Sequence, residues 1–307
     1  MSKILITGAS GFIGSALVRR LCERGAVVSV DRLKPSRFSN GSQDSGGPRY
    51  ETDARDHEAI ARIMHKERPD TVVHLAGRTG MQASLVEPAD FFSLNVTGTQ
   101  SVLEACRKAH VSHFILASSV AVYGESSRPV TEDQPLPPPA NPYAATKQIG
   151  ELLARMYSEV YGLNTTVLRI FSVFGSGQRP ETAVYKFTES IASGKPVTLY
   201  GDGSARRDYL YIDNCIQGIE KAIDTPFRFE VFNLGEQRTI TIRELARLLS
   251  EKLGKPAILE YVPVPKGLPD ATYADISKAK RLLSYDPAIG LEEGIARFVE
   301  WYKATRK

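Results

Sequence analysis

The first half of the chain alternates short apolar runs with longer stretches in which apolar residues recur at helical spacing. The apolar runs read KILIT, AVVSVD, TVVHLA, HFILASS and TTVLRI, and the stretches between them include FIGSALVRRLCERG and VTGTQSVLEACRKA. Apolar strands that alternate with helices predict a parallel sheet with helices on both faces. We therefore expect an α/β protein built on a doubly wound parallel sheet.

This alternation is interrupted after the second apolar run and ends in the second half. The stretch SRFSNGSQDSGGPRY is polar and rich in glycine, which predicts an exposed loop. After Phe174 proline and glycine become frequent, as in ASGKPVTLYGDGSARRDY and YVPVPKGLPDATYAD. We expect residues 1–174 to form the sheet domain, to which the chain returns around 208–236. Residues 175–307 would form mainly a smaller α/β region that binds substrate at the carboxyl ends of the strands.

Composition excludes several classes of protein. Hydrophobic residues make up 42% and charged residues 24% of the 307 positions, as in a soluble globular protein. The net charge of +4 is scattered, so we expect no nucleic-acid partner. No stretch approaches the ~18 consecutive apolar residues of a membrane span, so we expect no membrane partner.

The cysteines and the N-terminus predict a cytoplasmic protein. Cys22, Cys106 and Cys215 are odd in number and far apart, which favours reduced thiols over a disulfide framework. The N-terminal MSKILITGASGFIG lacks the long apolar core of a signal peptide. The segment CRKAHVSHF brings one cysteine and two histidines together, too few for a zinc site, so we expect no metal.

A glycine-rich turn between the first strand and the first helix predicts a dinucleotide site. TGASGFIG places Gly8, Gly11 and Gly14 where a tight turn, close approach of a pyrophosphate and close packing of helix on strand require residues without side chains. The second strand ends in Asp31, whose carboxylate can bind both ribose hydroxyls of NAD and would repel the extra phosphate of NADP. Arg32 follows directly and can accept that phosphate, so NADP stays an alternative to NAD.

A tyrosine and a lysine four residues apart open a helical stretch, NPYAATKQIGELLARMY. Residues at this spacing share one helix face, so Tyr143 and Lys147 would lie side by side. A phenol beside a fixed ammonium can act as a base, because positive charge favours its ionised form. The alternative is a surface helix that carries both residues without a catalytic role.

Several motifs together resemble the extended short-chain dehydrogenase/reductase family along nearly the whole chain. They are the Gly-x-x-Gly-x-x-Gly spacing, VVHLAG from Val72, LNVTGT with Asn95, and SSVAVYG followed by Tyr-x-x-x-Lys. The resemblance implies a Rossmann fold with bound NAD, in which Asn95 braces the central sheet and residues 53 and 54 hold the adenine. The cofactor contacts implied are Gly8, Gly11, Phe12, Ile13, Gly14, Asp31, Arg32, Asp53, Ala54, Leu75, Ala76, Gly77, Tyr143 and Lys147.

The same resemblance implies a catalytic set. Lys147 would hold the nicotinamide ribose and, with the positive nicotinamide ring, lower the pKa of Tyr143 against the effect of burial. Tyr143 would take a proton from a sugar hydroxyl while Ser119 hydrogen-bonds that hydroxyl. Dehydratases and decarboxylases of the family carry acids after this serine, whereas Val120 and Ala121 stand here. Of the reactions considered, epimerisation through a transient ketone is the one for which the chain keeps the necessary residues.

Later segments resemble the nucleotide-sugar epimerases, and LRIFSVFGSGQRPETAVYKF looks most like UDP-glucuronate 4-epimerases. Arg179 would bind the sugar carboxylate as a fork, Ser172 would add a hydrogen bond, and Arg207 would contact the diphosphate. Glu181 and Gln82 depart from the pattern of those enzymes. The substrate contacts implied are Ser118, Ser119, Ser172, Arg179, Tyr185 and Arg207.

The expected activity is therefore NAD-dependent 4-epimerisation of a UDP-sugar, with UDP-glucuronate as the leading substrate. A UDP-glucose or UDP-N-acetylglucosamine 4-epimerase, a nucleotide-sugar reductase and an NAD-binding redox sensor without catalysis remain alternatives. The helices near 96–109 and 143–161 carry apolar residues on more than one face, and in the family they pair two chains into a homodimer. Packing within one chain explains part of that pattern equally well.

Overall fold

The computed structural model describes residues 3–33, 47–126 and 128–306. Its strands are β1 (Ile4–Thr7), β2 (Val27–Asp31), β3 (Arg49–Glu51), β4 (Thr71–His74), β5 (His113–Ser119), β6 (Asn164–Ile170), β7 (Ser172–Phe174), β8 (Val197–Tyr200), β9 (Arg206–Arg207), β10 (Tyr209–Tyr211), β11 (Phe229–Leu234), β12 (Ile240–Thr241), β13 (Leu259–Val262) and β14 (Ala271–Thr272). Its α-helices are α1 (Phe12–Cys22), α2 (His57–Glu67), α3 (Met81–Val86), α4 (Pro88–Phe92), α5 (Gly98–Lys108), α6 (Pro142–Tyr161), α7 (Ala183–Ala192), α8 (Ile212–Asp224), α9 (Ile242–Leu253), α10 (Ser277–Leu283) and α11 (Leu291–Ala304).

Seven strands form one parallel sheet in the order β11-β6-β5-β4-β1-β2-β3. The expected Rossmann fold with a doubly wound parallel sheet is confirmed. The five apolar runs form β1, β2, β4, β5 and β6. The predicted exposed loop was wrong at its end, because Arg49–Glu51 pairs with β2 as the edge strand β3. The part of that loop at 36–46 lies outside the described residues.

The sheet is buried on both faces, which explains why its strands read as continuous apolar runs. Leu5 and Phe114 lie in a hydrophobic cluster with residues of α2 and α5. Ile6 and Ile115, one position further along the same strands, lie in a second cluster with residues of α1 and α8. Successive strand residues point to opposite faces, so each strand contributes to both clusters.

After β7 the chain builds a smaller region and also returns to the central sheet. The region contains a three-stranded sheet in the order β12-β9-β14 and the parallel pairs β7–β10 and β8–β13. The return is made by β11, which pairs with β6 from Phe229 opposite Thr165 to Leu234 opposite Ile170. Within the described ranges, no helix is both long and apolar enough to cross a bilayer.

Candidate active site

The glycine-rich turn leaves room for a ligand and for tight packing. Gly8 has φ +72°, and a Cβ there would lie 2.6 Å from the backbone nitrogen of Ala76 at the end of the neighbouring strand. A Cβ on Gly14 would lie 2.0 Å from the carbonyl oxygen of Gly8. Both distances are far below a van der Waals contact, so only glycine allows this strand–turn–helix geometry. Phe12 and Ile13 are the first residues of α1, and their side chains pack against the hydrophobic core. The free backbone N–H groups at this end of the helix suit a phosphate.

Asp31 is fixed beside this turn by two backbone groups. Its Oδ2 accepts a hydrogen bond of 2.8 Å from the Ser10 N–H, and its Oδ1 accepts one of 2.9 Å from the Leu33 N–H. Arg49, on β3, donates a hydrogen bond of 2.7 Å to the Ser10 hydroxyl. The carboxylate is therefore presented at the end of β2 in a defined orientation, as ribose binding requires.

The remaining residues expected at the cofactor lie around the same edge of the sheet. The Asp53 carboxylate pairs with Arg55 at 2.7 Å, and hydrogen bonds from Arg55 lower the pKa of Asp53. Arg32 also lowers the pKa of Asp53 through its charge, which places Arg32 near that carboxylate. Ala54 is buried against Gly98 at the start of α5.

A hydrogen bond links the first strand to the loop that follows β4. The Ala76 N–H donates to the Thr7 hydroxyl at 3.3 Å, and the Leu75 N–H donates to the Thr7 carbonyl oxygen at 3.1 Å. Leu75 and Ala76 therefore continue beside the end of β1, next to the glycine-rich turn.

Asn95 lies in a π-helical turn, Ser93–Thr97, that precedes α5. Its side-chain oxygen accepts from the Arg78 N–H at 2.7 Å, and its side-chain nitrogen donates to the Arg78 carbonyl and the Thr146 hydroxyl, both at 3.0 Å. Such turns occur often at functional sites. Here the turn aims one amide at both the loop after β4 and the helix α6.

Gly77 and Lys147 meet beside that amide. A Cβ on Gly77 would lie 2.8 Å from the Asn95 Oδ1 and 3.9 Å from the Lys147 Nζ. Lys147 donates a hydrogen bond of 2.7 Å to the Ala117 carbonyl oxygen of β5. The ammonium is thus fixed between α6 and β5, close to the loop expected to cover a nicotinamide ribose.

Tyr143 lies in the first turn of α6, which Asn141 caps by accepting a hydrogen bond of 2.9 Å from the Ala144 N–H. The Ser119 side chain at the end of β5 lies close enough to the phenol to lower its pKa. Its ring meets the buried Phe91 edge-on, with 6.1 Å between the ring centroids. The structure therefore brings Ser119, Tyr143 and Lys147 together.

Burial controls the charges of this group. Burial raises the pKa of Tyr143, while the nearby Ser119 side chain and the charge of Arg179 act in the opposite direction. Burial also lowers the pKa of Lys147 to about 8, against the charge of Glu151. The protein groups alone therefore leave Tyr143 protonated at neutral pH. The expected phenolate requires further positive charge, such as an oxidised nicotinamide.

Arg179 approaches the phenol from the loop before α7. Its Nη2 donates a hydrogen bond of 2.5 Å to the Thr79 hydroxyl. Among the described residues no carboxylate forms an ion pair with this guanidinium. Ser172 opens β7, partly exposed, and its N–H donates to the Asp208 carbonyl oxygen at 3.3 Å.

Arg207 is the second arginine expected to contact the substrate. Burial lowers its pKa, and its guanidinium donates to the carbonyl oxygens of Pro269 and Asp270 at 2.7 and 3.1 Å. In the described part of the chain no carboxylate lies within ion-pair distance of Arg207. Gln82 donates to the Lys266 carbonyl oxygen at 3.2 Å, which ties α3 to the same loop.

Two residues expected at the substrate are placed elsewhere. The Ser118 hydroxyl donates a hydrogen bond of 2.5 Å to the buried Glu151 carboxylate, because neighbouring residues of a strand face opposite sides. Tyr185 is buried and packs edge-on against Phe298 and Tyr302 of α11, with ring centroids 6.3 and 5.5 Å apart. Neither side chain is free to contact a sugar.

Three residues near the site, Thr79, Phe91 and the acid Glu151, were not predicted from the sequence. Thr79 and Phe91 belong to short segments without a recognisable spacing. Glu151 follows Lys147 by four residues, so helical periodicity alone places an acid on the face that carries the lysine. A buried acid at that position was a detectable signal.

Comparison with known proteins agrees with this geometry. Residues 4–235 match the model of the NAD dependent epimerase/dehydratase family. The chain is 36% identical to a UDP-glucuronate 4-epimerase of Thermodesulfobacterium geofontis over 99% of this chain and 97% of that protein.

Two solved structures are similar over the whole chain. A UDP-glucose 4-epimerase of Thermotoga maritima with UDP-glucose has a TM-score of 0.94 and 35% identity, covering 99% of this chain and 100% of that one. A UDP-glucuronic acid 4-epimerase of Bacillus cereus in complex with UDP-glucuronic acid and NAD has a TM-score of 0.92 and 34% identity, covering 99% of each chain.

Proposed function

The chain belongs to the NAD dependent epimerase/dehydratase family, and from that premise we propose that it inverts carbon 4 of UDP-glucuronate to give UDP-galacturonate. The glycine turn at Gly8 and Gly14, the oriented Asp31 carboxylate and the Lys147 ammonium fit a dinucleotide. When bound, NAD supplies a hydride acceptor that also returns the hydride.

Three residues of the chain would handle the proton. Tyr143 accepts the proton of the 4-hydroxyl as carbon 4 is oxidised to a ketone, and returns it when carbon 4 is reduced. Ser119, which lies beside Tyr143, orients that hydroxyl. Lys147 holds the ribose and adds positive charge near the phenol, with its Nζ 6.0 Å from the Tyr143 ring centroid. The keto sugar turns over between the two half-reactions, so that hydride returns to the other face.

The turn after Ser119 favours this reaction over elimination. Val120 and Ala121 form a 3₁₀ turn, Val120–Tyr123, at the position where an acid and a base would be needed to remove water. Neither side chain can transfer a proton. The ketone therefore has no catalyst for elimination in this turn, and reduction on the opposite face is the available outcome.

The observation that carries the choice of sugar is the position of Arg179. Its charge acts on Tyr143, yet the described hydrogen-bond partner of its guanidinium is the neutral Thr79 hydroxyl. A guanidinium without a carboxylate partner beside the catalytic phenol fits an acidic sugar. Fixing the carboxylate also matters chemically, because a 4-keto uronate is a β-keto acid and loses carbon dioxide if the carboxylate aligns for cleavage.

The test is direct. Purified protein is incubated with UDP-glucuronate without added NAD, and the products are separated by anion exchange and assigned by NMR. We expect UDP-galacturonate to form, with NAD carried through purification. Formation of a decarboxylated UDP-pentose, or no turnover of UDP-glucuronate while a neutral sugar is epimerised, contradicts the proposed substrate.

A UDP-glucose or UDP-N-acetylglucosamine 4-epimerase is the second candidate. Its support is the similarity to the Thermotoga maritima UDP-glucose 4-epimerase and the presence of Glu181, Thr182 and Gln82 where glucuronate enzymes are expected to differ. Parallel incubations with the two neutral sugars decide between them. A reductase would instead consume added NAD(P)H, and a redox sensor would turn over none of the sugars.

The outer face of α6 supports a proposed homodimer. Leu152 and Val160 are 66% and 65% exposed, Met156 lies between them at the same four-residue spacing, and Tyr161 follows. This stripe is the kind of surface that a second copy of the helix would cover. Light scattering should give twice the chain mass for the wild type, and Leu152→Glu with Val160→Glu should give a monomer. A monomeric wild type excludes the dimer.

We also propose a division of the chain into two regions and a cellular location. The division into a sheet domain at 1–174 and a substrate region at 175–307 is supported by the small sheets that follow β7. A cytoplasmic location is supported by the buried thiols Cys106 and Cys215, which form no disulfide with the described residues. Fluorescent tagging in the source cell would test the location.

A further inference from the structure

A buried ion pair lies directly behind the catalytic residues. Arg169 of β6 and Glu151 of α6 are 4% and 7% exposed. The Arg169 Nη2 donates to the Glu151 Oε2 at 2.7 Å, and its Nε donates to Oε1 at 3.0 Å. This two-pronged geometry is the strongest that an arginine and a carboxylate form.

The pair belongs to a row of polar residues across three neighbouring strands. Ser118 of β5 lies opposite Arg169, which lies opposite Asn233 of β11. The Arg169 Nη1 donates to the Tyr123 hydroxyl at 2.9 Å, and that hydroxyl donates to the Asn233 Oδ1 at 2.7 Å. Every link is buried, so the row fixes the ends of these strands relative to one another.

One end of the row reaches the catalytic serine. The Ser118 hydroxyl donates to the Glu151 Oε1 at 2.5 Å. Ser119 is the next residue, and its side chain points to the opposite side of the strand, where it meets Tyr143. Rotation of the backbone at Ser118 would therefore move the Ser119 hydroxyl.

Glu151 also connects the row to the catalytic lysine. Glu151 lies one helical turn beyond Lys147, and its charge acts on that ammonium. The other titratable groups facing Lys147 are Tyr143 on the same helix and His74 of β4, whose pKa burial lowers to about 3. Among the described residues, Glu151 is therefore the negative charge that acts on Lys147.

We propose that Glu151 and Arg169 are positioning residues of the active site, which hold Ser119 in place through Ser118 and preserve the charge of Lys147. This inference rests on the proposed function. Arg169 has a defined part in it. Burial lowers the pKa of Arg169, but the hydrogen bonds and charges of Glu151 and Tyr123 together raise it more. A Glu151 side chain deprived of Arg169 would be an unpaired buried charge and would take up a proton, so Lys147 would lose its anion.

The experiment measures the titration of Lys147 without relying on activity. Protein is labelled by competitive acetylation at a series of pH values, and the extent of acetylation at Lys147 is read by mass spectrometry. We expect Glu151→Gln, which keeps an acceptor for Ser118 but removes the charge, to lower the pKa of Lys147 by about one unit. Arg169→Met is expected to lower it in the same direction.

A matched control separates this effect from a general loss of stability. Glu220 of α8 is another buried acid, 8% exposed, which pairs with Arg20 and Arg24 of α1 at 3.3 and 3.1 Å. Glu220→Gln should destabilise the fold and leave the Lys147 titration unchanged. An equal shift of Lys147 in Glu220→Gln overturns the assignment.

A second variant covers the case in which Glu151→Gln does not fold. Glu151→Leu with Arg169→Met replaces the pair by apolar side chains of similar size, a change that is often neutral for stability. We expect a folded protein whose Lys147 pKa is still lowered. A folded double variant with the Lys147 pKa of the wild type overturns the proposal.

Kinetics on UDP-glucuronate complete the test. Glu151→Gln should reduce kcat by up to about 100-fold through misplacement of catalytic groups, with a smaller change in KM. The alkaline limb of its kcat profile should move to lower pH. A wild type that epimerises none of the UDP-sugars would refute the proposed function. An active wild type with an unchanged pH profile in Glu151→Gln would refute the positioning role alone.

Discussion

Arg179 and Thr79 are joined by a hydrogen bond of 2.5 Å between the guanidinium Nη2 and the threonine hydroxyl, across 100 residues of sequence. A neutral partner orients the guanidinium without neutralising it. The arginine therefore keeps its charge for a ligand, next to Tyr143.

Arg179→Ala should weaken UDP-glucuronate binding by tenfold or more, because charge-assisted hydrogen bonds contribute roughly 1.5–3 kcal/mol each. Calorimetry with UDP-glucuronate and, separately, with NAD measures the effect. NAD affinity should be unchanged, and affinity for UDP-glucose should fall much less. Equal losses for both UDP-sugars and NAD would place Arg179 outside the carboxylate site.

Tyr143→Phe should lower kcat by roughly 10²–10⁴-fold, because it removes the group that accepts and returns the proton. The ring contact with Phe91 survives in this variant, so thermal stability and binding of UDP-sugar should change little. Stopped-flow absorbance and thermal melts check both parts. Activity close to that of the wild type would remove Tyr143 from the mechanism.

Gly14→Ala should abolish NAD binding and lower the melting temperature, since its Cβ would lie 2.0 Å from the Gly8 carbonyl oxygen. The matched control is Gly150→Ala in α6, where the added Cβ would make an ordinary contact of 3.7 Å with Leu116. The control should be more stable by roughly 0.5–1 kcal/mol, because alanine favours a helix. Retention of full NAD content in Gly14→Ala would contradict the close approach seen here.

His74 and His113 should stay neutral until the solution is strongly acidic. Burial lowers the pKa of His74 to about 3 and that of His113 to about 4. Since the unfolded histidines bind protons from pH ~6.5 downward, each removes stability as the pH falls from there towards its folded value. NMR of the imidazole protons should show no titration of either residue above pH ~5. Titration near pH 6.5 would contradict their burial.

Two buried carboxyl groups act in the opposite direction over part of the same range. Burial raises the pKa of Asp208 and of Glu236 to about 7. The folded protein therefore holds their protons more tightly than the unfolded chain, and each adds stability as the pH falls from about 7 towards 4. The melting temperature should consequently change little between pH about 7 and pH about 4 and drop only below that range. If only the two histidines contributed, it would fall throughout that range.

The sequence predicted the central sheet because buried strands are written as unbroken apolar runs. It failed for β3, whose three residues Arg49–Glu51 carry two charges and form only an edge. Edge strands are exposed on one side, so their composition resembles that of a loop.

The structure brings together the predicted site residues whose spacing along the chain alone defines their geometry, and places apart those whose position depends on distant partners. Tyr143 and Lys147 follow from one helical turn, and Gly8 and Gly14 from one strand–turn–helix unit. Tyr185 faces α11, more than a hundred positions later, a contact that no local pattern encodes.

The direction of the Ser118 side chain, unlike that of Tyr185, follows from local strand geometry. Two adjacent strand residues cannot both face the same cleft, so Ser118 and Ser119 could not both bind the sugar. The alternation of side chains along β5 was sufficient to exclude one of the two serines from the sugar site. The chemistry of the Tyr-x-x-x-Lys motif favours Ser119 as the one that faces the sugar.

Strand β11 comes late in the chain but pairs with β6 of the central sheet, so the first half of the chain depends on the second half to complete that sheet. A fragment ending at residue 174 would expose β6 along its full length, from Asn164 to Ile170, as an unpaired edge of the sheet. Such edges recruit other chains and aggregate. A chimera in which everything after β7 is taken from a relative should therefore be insoluble. A chimera that keeps Phe229–Leu234 together with its own central sheet is expected to be soluble.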